Sequence, residues 1–491
     1  MVRIAAVRPR AHWPADVVAR PWHSAAAVSA FCRRRGFLAR PGQVVAEPSA
    51  DGRSVTLNIG LGPAGSATMA AFRAAAAAAV RNAGPARTLR LDLALADDSA
   101  LPAADRARAV TEGAALAAYR YDAHRSGRTP GPLTELAVVT DQDAAVAEAL
   151  AVCAGTCLAR DLVNCPAGEL GPEEFAHRIR ALAGERGLEC TVHEEAGLTR
   201  LGLGGLLAVG AGSARPPRLV EVDYRPPDAT GPVIGLIGKG ITFDSGGLCL
   251  KPAAAMRSMK ADMGGAAAVA GALAALPRLG LPLRVRGYLP LAENMPGGRA
   301  LRVGDVVRQA DGTTTEIVDT DNEGRVVLAD VLAHACRPGP GRCTVLIDVA
   351  TLTAAVSHAL GTRAGALFTD DEALAALVLG AARRAGETLC RLPLLAGESR
   401  WLRSAVADRA NGSHRPGDAV QAALFLREFV AKGTPWAHLD ISSAAFNEEG
   451  PYDETPCGGT GFGVRTLAET LRLLAPEPGP TGAKPTGGGS G

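Results

Sequence analysis

Lysine is nearly missing from this chain: five in 491 residues, at 239, 251, 260, 432 and 484, where lysine and arginine together number 52. Aromatic residues are scarce as well, at 4%. With no dense basic run to accompany them, that scarcity argues against a nucleic-acid surface. Residues 1–150 carry 18 Lys plus Arg against 13 Asp plus Glu, a mild excess that suits solvated faces. No run of ~18 uninterrupted apolar residues occurs, which excludes a membrane-spanning helix. The arginines at 3, 8 and 10 precede no apolar stretch of signal-peptide length, so a cytoplasmic protein is expected. The ten cysteines form no Cys-x-x-Cys pair and read as reduced, buried side chains. The nine histidines include no His-x-x-x-His pair with a glutamate, which excludes a zincin site; His438, in an apolar strand context, reads as a core residue. There is no Gly-x-Ser-x-Gly elbow. A Walker loop fails because Val233 stands at its first glycine position.

Against that background, three of the five lysines fall within one stretch, Gly238 to Gly265, together with Asp244 and Asp262. The stretch follows an apolar run, Val233 to Ile237, that reads as a buried parallel strand. Ligands of open α/β sheets bind where such strands end. A solvated face would have drawn arginine here, as it does elsewhere in the chain. Lysine instead implies a compact ammonium, or an amine able to shed its proton and ligate a metal. A second stretch, Asp319-Thr-Asp-Asn-Glu-Gly-Arg325, precedes a helical run. Asp321 and Glu323, two apart, face the same way if the segment is extended. Carboxylates so crowded repel unless cations neutralise them. Asp244, Asp262, Asp321 and Glu323 with Lys239 make a two-metal cage. A carboxylate cage also suits a two-metal phosphatase or nuclease, against which the amine of Lys239 argues.

The length predicts two domains. Residues 1–150 mix strands (Val55–Ile59, Thr88–Leu95, Leu136–Thr140) with an alanine-rich helix over Ala67–Asn82, giving a small N-terminal α/β domain. A helix over Ala144–Leu162 bridges into residues 151–475. There, strands at Glu189–His193, Leu219–Tyr224, Val233–Ile237, Leu283–Leu291, Thr344–Ala350 and Ala437–Ile441 alternate with helices at Gly264–Leu276, Arg325–Ala335 and Ala422–Val430. This is the pattern of a larger α/β domain with a mostly parallel sheet covered by helices on both faces. Residues 476–491, mainly proline, glycine, threonine and serine, read as a disordered tail.

The two lysine and carboxylate stretches resemble the signatures of the leucyl aminopeptidase family, the cytosolic two-metal peptidases of the M17 type. Further landmarks follow in order: Glu293-Asn-Met-Pro, Ala350-Thr-Leu-Thr, Ser404 with Ala407-Asp408 and Asn411, Trp436-Ala-His-Leu-Asp, and Gly459-Thr-Gly. The resemblance covers roughly residues 155–472 and is weak over the first 150. It implies a hydrolase that removes N-terminal residues from peptides or dipeptides, working as a homohexamer with two divalent ions per chain, Mn²⁺ or Zn²⁺. One ion would be held by Asp244, Asp321 and Glu323, the other by Lys239, Asp244, Asp262 and Glu323. Lys251 would stabilise the oxyanion, and Arg325 would hold a bicarbonate acting as general base. Met259 would line the pocket for the first side chain, with Thr351, Leu352 and Ala354 aligning the peptide. Some bacterial relatives also bind DNA.

Three positions depart from the family pattern. Asp319 replaces an asparagine, Asn322 an alanine and Ala354 a glycine. They point to a restricted substrate, such as a dipeptide or a small-molecule conjugate, the alternative being a specialised amidase of the same fold.

Overall fold

The computed structural model describes residues 2–11, 13–96, 101–127, 133–339, 341–413 and 415–476. The tail expected from Pro476 onward lies outside the described residues beyond Pro476 itself.

Apolar alternation in the first 150 residues yields a six-stranded sheet. Its spatial order is Arg3–Val7, Glu135–Val139, Thr88–Leu91, Val17–Trp22, Val55–Gly60 and Val44–Pro48. All neighbours run parallel except the last pair. The strand expected to reach Leu95 stops at Leu91, and Leu93–Leu95 curl into a 3₁₀ turn behind Asp92. The alanine-rich segment is the helix Met69–Arg81, started by Thr68, whose hydroxyl accepts from Ala71 N–H at 3.3 Å. It packs closely on the helix Ala103–Ala117, where a Cβ at Gly113 would meet the Arg73 carbonyl oxygen at 2.2 Å.

The second sheet has nine strands. Eight follow the order Thr388–Arg391, Ala364–Phe368, Trp436–Asp440, Val345–Ala350, Val233–Gly238, Arg284–Asn294, Arg218–Tyr224 and Glu189–His193; Gly240–Asp244 pairs with the far end of Arg284–Asn294. The centre is parallel, while Ala364–Phe368 on one side and Arg218–Tyr224 on the other pair antiparallel with their inner neighbours. Side chains alternate between two cores. Ile234, Leu236 and Ile347 face a core built with the helices Asp143–Asn164, Pro172–Arg186, Gly264–Leu279, Glu372–Ala385 and Val464–Leu474. Ile237 and Leu346 face the other, built with Gly204–Gly210, Glu323–Ala335 and Asp418–Arg427. Each fully buried leucine or valine there contributes roughly 1.5–3 kcal/mol.

The helix Asp143–Asn164 runs from the first sheet to the second and crosses Gly264–Leu279 at paired glycines. A Cβ at Gly155 would lie 2.1 Å from the Gly271 carbonyl oxygen. Near its end, the buried Arg160 donates to the carbonyls of Leu116, Glu454 and Thr460, lashing the N-terminal layer to the rest. Among the described residues no helix is long and apolar enough to cross a membrane.

Candidate metal centre and active site

The central strand Val233–Gly238 ends at a chain of close approaches that fixes Lys239. A Cβ at Gly265 would meet the Val349 carbonyl oxygen at 2.0 Å, and one at Gly324 would meet Lys239 Cε at 2.5 Å. Only glycines let the helices at 264 and 323 close around this lysine. Its side chain is 3% exposed. Its ammonium donates to Asp262 Oδ1 and to the Thr351 carbonyl, each at 2.9 Å, and lies 2.8 Å from Glu323 Oε1. Burial alone would lower the pKa of Lys239, but Asp262, Glu323 and Asp244 hold it above the ordinary value.

Asp244 closes the strand Gly240–Asp244. Its Oδ1 accepts from Asn294 Nδ2 and Gly246 N–H, each at 2.8 Å, while Oδ2 lies 2.8 Å from the Lys251 ammonium. The turn that brings Lys251 back needs left-handed backbone at Gly246 (φ +86) and Gly247 (φ +65). Thr320 pins that turn, accepting from Cys249 N–H and donating to the Gly246 carbonyl. Asp262 ends a short 3₁₀ turn, Met259–Ala261, and accepts from the Thr351 hydroxyl at 2.7 Å.

Asp321 and Glu323 do not share an extended segment as the spacing suggested. Asp321 sits in a turn, and Glu323 is the first residue of the helix Glu323–Ala335, next to its Asn322 N-cap. The difference separates them: oxygens of Asp244, Asp262 and Glu323 lie within 4.8 Å of one another, whereas Asp321 is drawn aside into an ion pair with Lys251. A second ion-pairing ammonium is thus inserted between Asp244 and Asp321.

These carboxylates are at odds with their surroundings. Burial and the charge of Asp244 push Asp262 and Asp321 up to about 6, and the same causes raise Glu323 well above the usual range. Asp262 Oδ2, Asp321 Oδ1 and both Glu323 oxygens have no directed hydrogen-bond donor, although lysine nitrogens stand at ion-pair distance from three of them. Buried oxygens of this kind call for another partner. All-oxygen donors with one amine fit a hard or borderline divalent cation.

Around the centre, Met259, Thr351 and Leu352 are half-buried and Ala354 is exposed at the start of the helix Ala355–Leu360. The Leu352 N–H donates to Asp440 Oδ1 at 3.2 Å, and Asp440 also takes Thr353 N–H and hydroxyl. Arg325 is 1% exposed; it donates to the Asn411 carbonyl at 3.1 Å and to Asp418 Oδ1 at 2.6 Å. Asp319 Oδ1 accepts from Asp321 N–H, and its half-buried charge is one of those that raise Asp321. His438 is a core residue: it is buried, paired through Nδ1 with Asp348 at 2.5 Å, and stacked on Phe368 and Trp436.

Four residues of this neighbourhood were not picked out as site residues from sequence. Asn294 and Asn411 lie in motifs quoted above, and their partners are long-range. Asp440 follows His438 in another. Asp418 had no local signal, because its partner Arg325 is 93 residues away.

Comparison with known proteins shows the family. Residues 157–468 match the catalytic domain of the cytosol aminopeptidase family, and residues 18–128 its N-terminal domain. A protein named "Probable cytosol aminopeptidase" from Streptomyces avermitilis is 43% identical over 463 residues, covering 91% of this chain and 90% of that one. Among solved structures, the bottromycin maturation enzyme BotP in complex with Mn superposes with a TM-score of 0.91 at 70% identity, over 94% of this chain and 100% of BotP. A cytosol aminopeptidase from Coxiella burnetii does so with a TM-score of 0.83 at 30% identity, over 96% of this chain and 99% of the other. Through both its N-terminal and its catalytic regions, this chain belongs to the cytosol aminopeptidase family.

Proposed function

We propose that the chain is a two-metal aminopeptidase that removes the N-terminal residue of a peptide undergoing maturation into a bottromycin-type product. One observation carries the catalytic part: Asp244, Asp262 and Glu323 converge at a buried point beside Lys239, where Asp262 Oδ2 and both Glu323 oxygens have no directed donor. The residues that would hold the ions are those four with Asp321. Two divalent cations there, manganese in the first instance, would supply an activated water at neutral pH and a grip on the free α-amine of the substrate.

The chain's own residues supply the rest. Lys251, 16% exposed where Lys239 is 3%, stands at the open side of the cluster and is placed to polarise the scissile carbonyl. Asp262 is oriented by Thr351, and Asp244 by Asn294, so neither swings when a ligand arrives. Met259 would contact the first side chain, while Thr351, Leu352 and Ala354 would flank the peptide. The likeness to BotP at 70% identity supports the substrate class, and the departures at Asp319, Asn322 and Ala354 support a restricted substrate. The family resemblance supports a homohexamer, and the alternation of strands and helices along the chain supports domain limits at 1–150 and 151–475.

The test is mass spectrometry of peptides incubated with the manganese-loaded protein. Loss of a single N-terminal residue is expected, with the N-acetylated peptide refused because its amine is blocked. Cleavage of the acetylated form, or of neither, would exclude the reading.

A further inference from the structure

The motif Trp436-Ala-His-Leu-Asp ends on a carboxylate that takes no part in the proposed ligand cluster. Asp440 is fully buried, and five neutral donors converge on it. Oδ1 accepts from the N–H of Leu352 at 3.2 Å, from the N–H of Ser442 at 3.1 Å and from the Ser442 hydroxyl. Oδ2 accepts from the Thr353 N–H at 3.1 Å and from the Thr353 hydroxyl at 2.7 Å. An ionised carboxylate accepts at both oxygens and donates nowhere, so it suits such a point, whereas an amide of the same shape would set its own N–H groups against some of these donors. The five bonds stitch together two turns: residues 351–354 after the strand Val345–Ala350, and residues 441–445 after Trp436–Asp440. The turns meet at the start of the helix Gly264–Leu279, where a Cβ on Gly264 would stand 3.2 Å from Ala445 Cβ and 3.3 Å from Thr351 Cγ2.

The Leu352 N–H belongs to the peptide unit whose carbonyl is that of Thr351, and this carbonyl accepts from the Lys239 ammonium at 2.9 Å. One planar unit thus joins Asp440 to Lys239. In a trans peptide the N–H and C=O point opposite ways, so the carboxylate that fixes the N–H also fixes where the carbonyl faces. Bonding to the anion polarises the unit as well, which strengthens the carbonyl as an acceptor. The hydroxyl of the same Thr351 donates to Asp262 Oδ1 at 2.7 Å, so Lys239 and Asp262 are held by one residue. Resting on the two-metal reading above, we propose that Asp440 is a positioning residue for the ion site of Lys239 and Asp262: through the Thr351–Leu352 peptide it sets the direction in which the Lys239 nitrogen meets a cation. Asp321, paired with Lys251, stands outside this linkage. The effect is therefore confined to one of the two ions.

The experiment titrates the metal-free chain with manganese by calorimetry, beside turnover of an aminoacyl anilide. The unaltered chain is expected to take two ions. Asp440→Asn should weaken one of them about tenfold, the lower end of what loss of a ligand's outer partner costs, and leave the other unchanged. Turnover should then fall at limiting manganese and recover at excess. Thr353→Val, which removes one hydroxyl from Oδ2, should weaken the same ion severalfold, while Thr353→Ser should match the unaltered chain in manganese affinity. This second pair carries the test if Asp440→Asn does not fold. A merely structural carboxylate would lower the melting temperature and leave both affinities as they were. That result, or equal weakening of both ions, overturns the proposal. An unaltered chain that takes fewer than two ions would instead remove the two-metal reading beneath it.

Discussion

Lys239 and Lys251 flank the strand Gly240–Asp244 and are proposed to have opposite tasks. Lys239 is enclosed by Asp262, Glu323 and the Thr351 carbonyl, and as a ligand it would lose its proton to water when a cation takes its place on the amine lone pair. Lys251, the more exposed of the two, would have to keep its charge in the proposed oxyanion role. Lys239→Arg is expected to empty or weaken one metal site, because a guanidinium does not deprotonate and Gly324 leaves no room for a larger head. Lys251→Arg should leave both metals in place and lose turnover about ten- to a thousandfold through misplacement of one oxyanion contact. Elemental analysis beside turnover reads both, and the reverse pattern would exchange the two roles. The candidate ligands were legible in the sequence because lysine is rare and the carboxylates cluster within two short stretches. Asp418 was not, since its partner Arg325 lies 93 residues away.

At the scale of elements, most strands and helices of the larger sheet were legible from apolar periodicity. The Gly264–Leu279 helix and the Val345–Ala350 strand lie within three residues of expectation. The small sheet of Val306–Arg308, Thr314–Glu316 and Arg409–Ala410 was not, because strands of two and three residues carry no period. The crossing of Asp143–Asn164 on Gly264–Leu279 depends on having no side chain at either glycine. Gly155→Ala should therefore destabilise the fold by about 1–3 kcal/mol, seen as a lowered denaturant midpoint with unchanged slope. Glu221, on the strand Arg218–Tyr224, ties that strand to its neighbours by accepting from His193, His334 and Arg286. Burial opposes its ionisation, yet those partners hold its pKa below the ordinary range. The unfolded chain, with glutamate near 4.3, takes up this proton before the native one as pH falls. The stabilisation is full above that value and declines as acid approaches the lower native pKa. Glu221→Gln should flatten the loss of stability below about pH 5, measured by denaturant titrations across pH.

For the whole molecule, the proposed metal centre lies in turns and helix starts at the ends of strands, while the two cores on either face of the larger sheet contain none of the five proposed ligands. Removing metal with a chelator should abolish turnover and leave the circular dichroism spectrum native. Restored manganese at a hundredfold excess over its Kd should return about 2.7 kcal/mol of stability, seen as a raised melting temperature. Full activity after stripping would contradict the two-metal reading. Light scattering at micromolar concentration should report a particle several times the 50.1 kDa chain, and a monomer would contradict the hexamer.

The scarcity of lysine also governs how this protein meets amine-reactive reagents. Lys239 and Lys251 are sheltered in the pocket and Lys260 is held by the Asn164 carbonyl, so Lys432 is the exposed lysine among the described residues. A dye or a resin linked through an activated ester should attach there or outside the described region and spare turnover. Labelling that reaches Lys251 would then report directly that the mouth of the pocket has opened, and a ligand that protects it would reveal itself by mass spectrometry without any assay of catalysis.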